Sequence, residues 1–558
     1  MKIYDFKSLV TVFKLFHNEN SLFFYFLIFL GFSASAFEGM SLLAFIPLAE
    51  VLNNDTITTK IPLLERLISS LKLEINIYFF VILIIFLTFF KCILNFFDQY
   101  LSSFYVEKKL LSFRRLYIHY LVNLKITDFQ TIKSGKVSAD IQLEIERVGN
   151  VLRLFLRIVN SVIYSIVALG ASFLISYNFT LLAILGGILK LIIIKQLEKP
   201  AKKNGLEHSF VNKTLTLNIS NSLQHFKFLK IMTKKNFVYE KISTLMDKLK
   251  VVQKKRIILT FFQQNLDEFL TTVILAVIIC ISFAFLNLNL IELGIILIFL
   301  NRILVKVGSI GKAKLILERD MNVLDSLNQR LQNWKTKKYK NGNKKIKSIE
   351  TIQLKNVSYN IGKKQVIRKF NFKFEKGNMY LIQGRSGCGK STLLDIIMGI
   401  KKIQSGSVII NKEEINDDYD YYNIFERMSY VPQELVVYGD SIIDNIVLDK
   451  RFPKSKISRS LEIAQAKEFI NKLPDGIDTK LDDSGRNFST GQIQRISIAR
   501  GILHLNDILL IDESLANIDV QTQKKILLKL KNDLRQKIII IVSHQLKNKF
   551  LFKKTIKL

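Results

Sequence analysis

Cysteine is scarce in this chain, with three residues in 558. Cys92, Cys280 and Cys388 share no repeated spacing, so neither a disulfide framework nor a zinc site is indicated, and a reducing compartment suits any soluble part. Acidic residues are in deficit: 47 Asp and Glu stand against 81 Lys and Arg, a formal net charge of +34 at pH 7. In a water-soluble protein that surplus would point to nucleic acid. Here lysine is spread over many segments and gathers in loops between apolar runs, where a membrane topology accounts for it, so no nucleic-acid partner is expected. Low-complexity tails are missing, and no repeat stands out beyond three successive apolar hairpins. A cleavable leader is not expected either. Lys2, Lys7 and Lys14 precede an apolar run containing "SASA" at 33–36, but the run continues to Val51, too long for a signal core.

Apolar length is what the chain has in abundance. Mean hydropathy is +0.23, and 42 residues are Phe. Six runs of membrane-spanning length occupy 22–51, 77–97, 151–177, 179–194, 257–285 and 290–307, the fourth being the shortest. The segment 107–147 carries Lys108, Lys109, Arg114, Arg115, Lys125, Lys133 and Lys136, and 195–256 is richer still in lysine. By contrast 53–76 balances Lys60, Arg66 and Lys72 with Asp55, Glu65 and Glu74. The positive-inside rule then places both termini and both long basic loops in the cytoplasm of a bacterial-type inner membrane. Within the runs, Glu38, Lys91 and Arg302 are expected to line a cavity, Lys306 to snorkel, and Asp267 and Glu268 to lie in a cytoplasmic helix extension. The expected division is a transmembrane domain over 1–332, a Lys- and Asn-rich linker over 333–348, and a second domain over 349–558.

That second domain alternates short apolar strands with helices, the texture of an α/β domain with a mainly parallel sheet. "YLIQG" feeds "GRSGCGKST", which fits G-x-x-x-x-G-K-[ST] between a strand and a helix. Gly384, Arg385, Ser386, Gly387, Cys388, Gly389, Lys390, Ser391 and Thr392 are therefore the expected nucleotide contacts, since glycines let successive N–H groups turn toward phosphate oxygens. Lys390 should reach the β- and γ-phosphates and Ser391 should coordinate Mg²⁺. "ILLIDE" ends in Asp512, placed for Mg²⁺ through its water shell, and Glu513, placed to polarise a water; "IIIIVSH" ends in His544, placed for the γ-phosphate.

The stretch "FSTGQIQRISIAR" at 488–500 resembles the Leu-Ser-Gly-Gly-Gln signature of ATP-binding cassette proteins. Around it, "YVPQ" supplies a Q-loop glutamine, Gln433, and "ANID" resembles a D-loop ending in Asp519. The resemblance covers the whole chain, because six spans followed by one cassette is the half-transporter plan of the exporter branch. It implies a six-helix α-helical transmembrane bundle followed by an α/β P-loop NTPase domain of the ABC type. It also implies ATP and Mg²⁺ as ligands, a second half-transporter, identical or related, as partner, and Gln433, Glu513 and His544 as the hydrolytic set, with Gln433 also touching the metal. Ser489, Gly491 and Gln492 would then serve a nucleotide held by the other copy. Three departures stand out. Thr490 replaces the usual first Gly, Ile361 occupies the adenine-stacking position with Tyr359 as its substitute, and the chain ends about fourteen residues after His544. "FEGMSLLAFIPL" and "HFKFLK" look most like lipid-linked oligosaccharide flippases, implying membrane lipid contact and an amphipathic or lipid-linked cargo. A peptide or small-molecule exporter, a tethered cassette that does not transport, and a soluble cassette ATPase are the alternatives.

Overall fold

The computed structural model describes residues 21–45, 47–48, 77–132, 137–138, 140–175, 177–285, 290–339, 342–362, 364–385, 387–434, 436–438, 440–482, 487–544 and 549–558. The chain divides into two compact units, one of residues 1–122 with 131–336, the other of 123–130 with 337–558.

The first unit is helical. Its main elements are α1 (Ser21–Leu43), α2 (Ile77–Val122), α3 (Ile145–Ile175), α4 (Tyr177–Lys195), α5 (Glu198–Gln224), α6 (Lys235–Phe285) and α7 (Leu290–Thr336). At 1.5 Å per residue the 46 residues of α2 reach roughly 70 Å, more than twice the thickness of a bilayer core. α2 must therefore leave the lipid, and its sequence changes accordingly from "FFVILIIFLTFF" to "EKKLLSFRR". Among the described residues five helices are long and apolar enough to span, covering the first five expected runs. The sixth run opens α7, where several side chains lie outside the described set.

Apolar side chains such as Ile82, Ile85, Phe86 and Phe89 are exposed along α2, a surface suited to lipid rather than water. Interior contacts pair small residues with large ones: Ala168 with Tyr164 and Ile303, Ala171 with Leu42 and Phe299, Ala183 with Ile274 and Leu300. A Cβ at Gly186 would lie 2.7 Å from Ile274, so α4 and α6 approach as closely as they do only because the residue is glycine. Asp267 is not in a watery extension. It is buried, 2.8 Å from the fully buried Lys190 and 3.4 Å from Lys312, and Lys190 also donates to Thr271 and the Leu304 carbonyl. Its carboxylate fills the space that a side chain at Gly308 would need. A charge in such a place persists only when paired. The last turn of α7 runs past the expected start of the linker, because Trp334 packs edge-on against Tyr117 with ring centroids 5.0 Å apart.

The second unit holds two sheets. β1 (Thr351–Ile361), β2 (Lys364–Glu375), β4 (Ser405–Ile410) and β5 (Glu413–Glu414) form an antiparallel sheet in the order β2-β1-β4-β5. β3 (Met379–Gln383), β6 (Met428–Val431), β7 (Ile508–Asp512), β8 (Ile538–Val542) and β9 (Lys554–Lys557) form a parallel sheet in the order β6-β7-β8-β3-β9. "ILLID" and "IIIIV" are buried at every position, as strands covered on both faces must be. The short C-terminal tail supplies the edge strand β9. Residues 123–130 belong to this unit: Lys125 N–H donates to the Lys337 carbonyl at 3.1 Å, and Lys337 pairs with Asp128 at 2.9 Å.

Candidate nucleotide site

Strand register assembles the site. β3, β8 and β7 are parallel neighbours, with Ile382 opposite Val542 and Val542 opposite Asp512. The residues following each strand, Gly384, His544 and Glu513, therefore emerge side by side at the carboxyl end of the sheet, where ligands of open α/β sheets bind. The phosphate loop leaves β3 and enters α8 (Lys390–Ile397). Gly387 and Gly389 take φ of +77° and +107°, and a Cβ at Gly389 would sit 2.6 Å from Val366. Both positions require glycine.

Lys390 is buried and donates from Nζ to the carbonyls of Gly384 and Arg385, each at 3.2 Å. Its ammonium also lies 3.4 Å from Glu513 and 3.1 Å from His544. His544 Nδ1 lies 2.8 Å from the Gly384 carbonyl. Nε2 lies 2.5 Å from Glu513 Oε1. Gln433 Nε2 donates to the other Glu513 oxygen at 3.0 Å. Glu513 itself has φ +51° and its N–H bonds the Val542 carbonyl at 3.0 Å, which turns its side chain off the strand direction. Lys390, Gln433, Glu513 and His544 thus form one cluster.

Asp512 lies deeper. Burial pushes its carboxyl above the usual carboxylate range, against a hydrogen bond from Ser391. Oδ2 accepts from Tyr430 at 3.4 Å, while Oδ1 is buried without a hydrogen-bond partner among the described residues. An under-satisfied carboxylate oxygen beside a serine hydroxyl is an all-oxygen donor set, which fits Mg²⁺. Tyr430 was not legible as a site residue, although it stands three positions before Gln433 on β6. Ser514, whose hydroxyl bonds the Pro432 carbonyl, likewise ties the Gln433 segment to the end of β7.

Tyr359 is half-buried on the core beneath α8, with the Lys401 ammonium 5.9 Å from its ring centroid. Among the described residues no hydrogen bond joins it to the phosphate loop, and Ile361 remains 54% exposed. Ser386 lies outside the described residues. Cys388 is partly exposed, and a Cβ at Gly384 would meet its sulfur at 2.4 Å. Alkylating Cys388 adds bulk where there is no slack; overpacking of about 1–3 kcal/mol, carried into the barrier, predicts a loss of ATP turnover of roughly fivefold or more. Thiol titration with phosphate-release assays on the parent and on Cys388→Ala would check this, and full turnover after complete modification would refute it.

The signature stretch lies apart from that cluster. Ser489 caps α9 (Thr490–Leu503): its Oγ accepts from Gln492 N, and the Gln492 side chain returns to Ser489 N–H at 2.9 Å. Such a capping box satisfies two amides reciprocally. It leaves the Ser489 hydroxyl proton and the Thr490 and Gly491 amides without an acceptor among the described residues. A Cβ at Gly491 would lie 3.1 Å from the Asn517 carbonyl, so glycine lets the helix tip meet the "ANID" turn. Asp519 caps α10 (Val520–Asp533) by accepting from Thr522 N–H at 2.9 Å, a bond that holds its carboxyl below the ordinary range. Ser489, Gly491 and Gln492 make no hydrogen bond with the phosphate loop of their own chain among the described residues.

Family comparison matches residues 22–309 to the ABC transporter transmembrane region and 367–516 to the ABC transporter domain. A Rickettsia typhi chain named as an export ATP-binding/permease protein is 27% identical over 482 residues, 81% of this chain and 80% of that one. An ATP-dependent lipid A-core flippase of Burkholderia orbicola is 22% identical over 458 residues, 80% of this chain and 76% of the relative. Where identity reaches 30% or more, the chain spans only about a third (34–36%) of the relatives' length. In fold, the chain is similar to a bacterial Atm1-family ABC exporter solved with ATP bound: TM-score 0.81 at 16% identity, over 96% of this chain and 92% of that one.

Proposed function

The chain belongs to the ABC transporter family, with a transporter transmembrane region fused ahead of the nucleotide-binding domain, and we propose that it is half of a dimeric exporter using ATP to move an amphipathic cargo. It is a multi-pass membrane protein. In our reading it resides in a bacterial inner membrane with both termini and the ATPase domain in the cytoplasm, as the basic loops favour. The single observation that carries the reading is the separation of the two halves of the reaction centre. Lys390, Glu513 and His544 cluster at one sheet end, whereas the capped tip of α9 keeps donors that meet no acceptor among the described residues. A helix N-terminus with free N–H groups is an anion site, and a second copy brings the anion.

Within that arrangement Lys390 exchanges its carbonyl partners for β- and γ-phosphate oxygens. Glu513 takes a proton from a water that attacks the γ-phosphorus as the bond to the β-bridging oxygen breaks, releasing ADP and phosphate. Gln433 and His544 fix the two oxygens of that carboxylate so that it faces the water. Ser489 and the Thr490 and Gly491 amides of the partner copy then close on the γ-phosphate. Asp512, Ser391 and Gln433 would hold Mg²⁺, which supplies charge neutralisation on the phosphates when bound. The cargo class follows from the flippase-like segments: a lipid-linked oligosaccharide or another lipid, with peptide or small-molecule export as the runner-up.

The test uses the full chain in proteoliposomes. Turnover per chain should rise with protein density as dimers form, and a tail-labelled lipid should change leaflet only with hydrolysable ATP. Hydrolysis that is indifferent to protein density, or robust hydrolysis with no movement of lipids or peptides, would reject dimeric export; the second outcome would favour a tethered ATPase that does not transport.

A further inference from the structure

The Lys- and Asn-rich stretch 333–348 reads in the sequence as a slack tether between two domains. In the structure it is sewn down. The chain passes from one compact unit to the other three times, at 122–123, 130–131 and 336–337. Residues just beyond the first and third crossings pair with each other. Leu124 and Lys338 form an antiparallel bridge, Lys125 N–H donates to the Lys337 carbonyl at 3.1 Å, and the Lys337 ammonium lies 2.9 Å from Asp128. Just before those crossings, Tyr117 of α2 and Trp334 of α7 already meet edge to face. Further along, a Cβ at Gly342 would collide with the Asp418 carbonyl, so glycine lets the strap lie flat there. Lys344 N–H then donates to that same carbonyl at 3.1 Å, and Ile346 N–H to Asn423 Oδ1 at 2.7 Å.

Tyr339 is the anchor of this strap. Between Trp334 and Ile346 it is the only large apolar side chain, so it carries the hydrophobic hold of the stretch. It is 7% exposed, and its ring sits among Tyr421, Tyr422 and Phe425 with centroids 5.8, 6.0 and 5.3 Å away. The last two contacts are edge-on, the arrangement that ring quadrupoles favour. Its hydroxyl oxygen accepts from Ile126 N–H at 3.4 Å, and the Tyr422 hydroxyl donates to Asn123 at 3.4 Å. All three surrounding rings belong to the helix Tyr421–Glu426, which leads directly into β6. We propose that Tyr339 is a positioning residue for export. Its buried ring pins the linker and the 123–130 turn into one joint. Motion of the ATPase unit then reaches the ends of α2 and α7 as one displacement instead of being lost in a loose tether, and the Leu124–Lys338 bridge stays closed throughout the cycle. The assignment rests on the exporter reading and names where the motion enters the helices.

The experiment uses the full chain in proteoliposomes with a tail-labelled phospholipid as probe. Tyr339→Ala should keep ATP turnover within about threefold of the parent, while lipid moved per ATP hydrolysed falls about fivefold or more. Tyr339→Phe keeps the ring and should stay within about twofold on both counts. Brief trypsin treatment should cut within 335–347 at least about tenfold faster in Tyr339→Ala than in the parent. Leu124→Cys with Lys338→Cys, in a chain carrying Cys92→Ala, Cys280→Ala and Cys388→Ala, sets a disulfide across the bridge, and each preparation is compared oxidised against reduced. Oxidation should leave lipid movement per ATP unchanged when Tyr339 is intact. Added to Tyr339→Ala, the closed disulfide should restore that ratio to within about twofold of the intact chain. Failure of the disulfide to form, equal cutting of parent and variant, or an unchanged ratio in Tyr339→Ala would each overturn the proposal. So would loss of lipid movement on oxidation with Tyr339 intact, because the bridge would then have to open. Should Tyr339→Ala fail to fold, disulfide formation and that oxidation result decide alone. ATP turnover without lipid movement in the parent counts against the lipid-exporter reading only; trypsin and disulfide formation still judge the joint.

Discussion

Glu513→Gln should lower steady-state ATP turnover by about 10²- to 10⁴-fold, the usual contribution of a positioned general base. The substitution is nearly isosteric. The cluster around position 513 persists in outline, because the amide still offers an oxygen to Gln433 or His544. What is lost is proton acceptance. The change also removes a negative charge 3.4 Å from the Lys390 ammonium, freeing that cation for phosphate and ending the repulsion between a carboxylate and a γ-phosphate on the same side of the site. ATP should therefore be held longer while it is cleaved more slowly, and a nucleotide-bound dimer should accumulate. Phosphate release and the mass of the ATP-loaded species are the two measurements. Turnover within about threefold of the parent would remove Glu513 from the base role.

How much of this was readable follows the locality of each feature. The phosphate loop and the acidic end of β7 are each a strand, a turn and at most one helix, so their residues announce themselves within about ten positions. Their meeting was less legible. It depends on β8 lying between β7 and β3, strands separated by more than a hundred residues of chain, and no local pattern gives that order. Tyr430 and Ser514 act across β6 and β7, and no local pattern marks either. The tail was read from its length, yet Thr555 and Ile556 extend the parallel sheet beside β3, opposite Leu381 and Ile382. In the transmembrane unit, Lys190 hid within the apolar "GGILKLIII" and gained meaning only once Asp267 was found 2.8 Å away. Tyr359 shows the opposite failure. An aromatic close to the expected register is drawn under α8 by core packing, while the position that register favours, Ile361, carries no ring.

Mixing two inactive variants should restore activity. Lys390→Ala removes the ammonium that holds the phosphates, and Ser489→Glu places a carboxylate at the α9 tip where a γ-phosphate would dock; each pure preparation should lose turnover by at least about 100-fold. Ser489 is exposed, so the second change costs the fold only about 1 kcal/mol of capping. In a dimer of one chain of each kind, one reaction centre joins the altered phosphate loop to the altered helix tip and carries both defects. The other joins the intact loop of the Ser489→Glu chain to the intact tip of the Lys390→Ala chain and carries none. Random pairing of equal amounts makes about half the dimers mixed, each with one working centre of two, so about a quarter of parental turnover should return. One occluded nucleotide per mixed dimer gives a count that does not depend on whether the two centres must fire together. Were the centre built within a single chain, every molecule in the mixture would carry one of the two lesions and nothing would return. Recovery is possible only if the donors left over by the Ser489–Gln492 capping box belong to the neighbour's ATP.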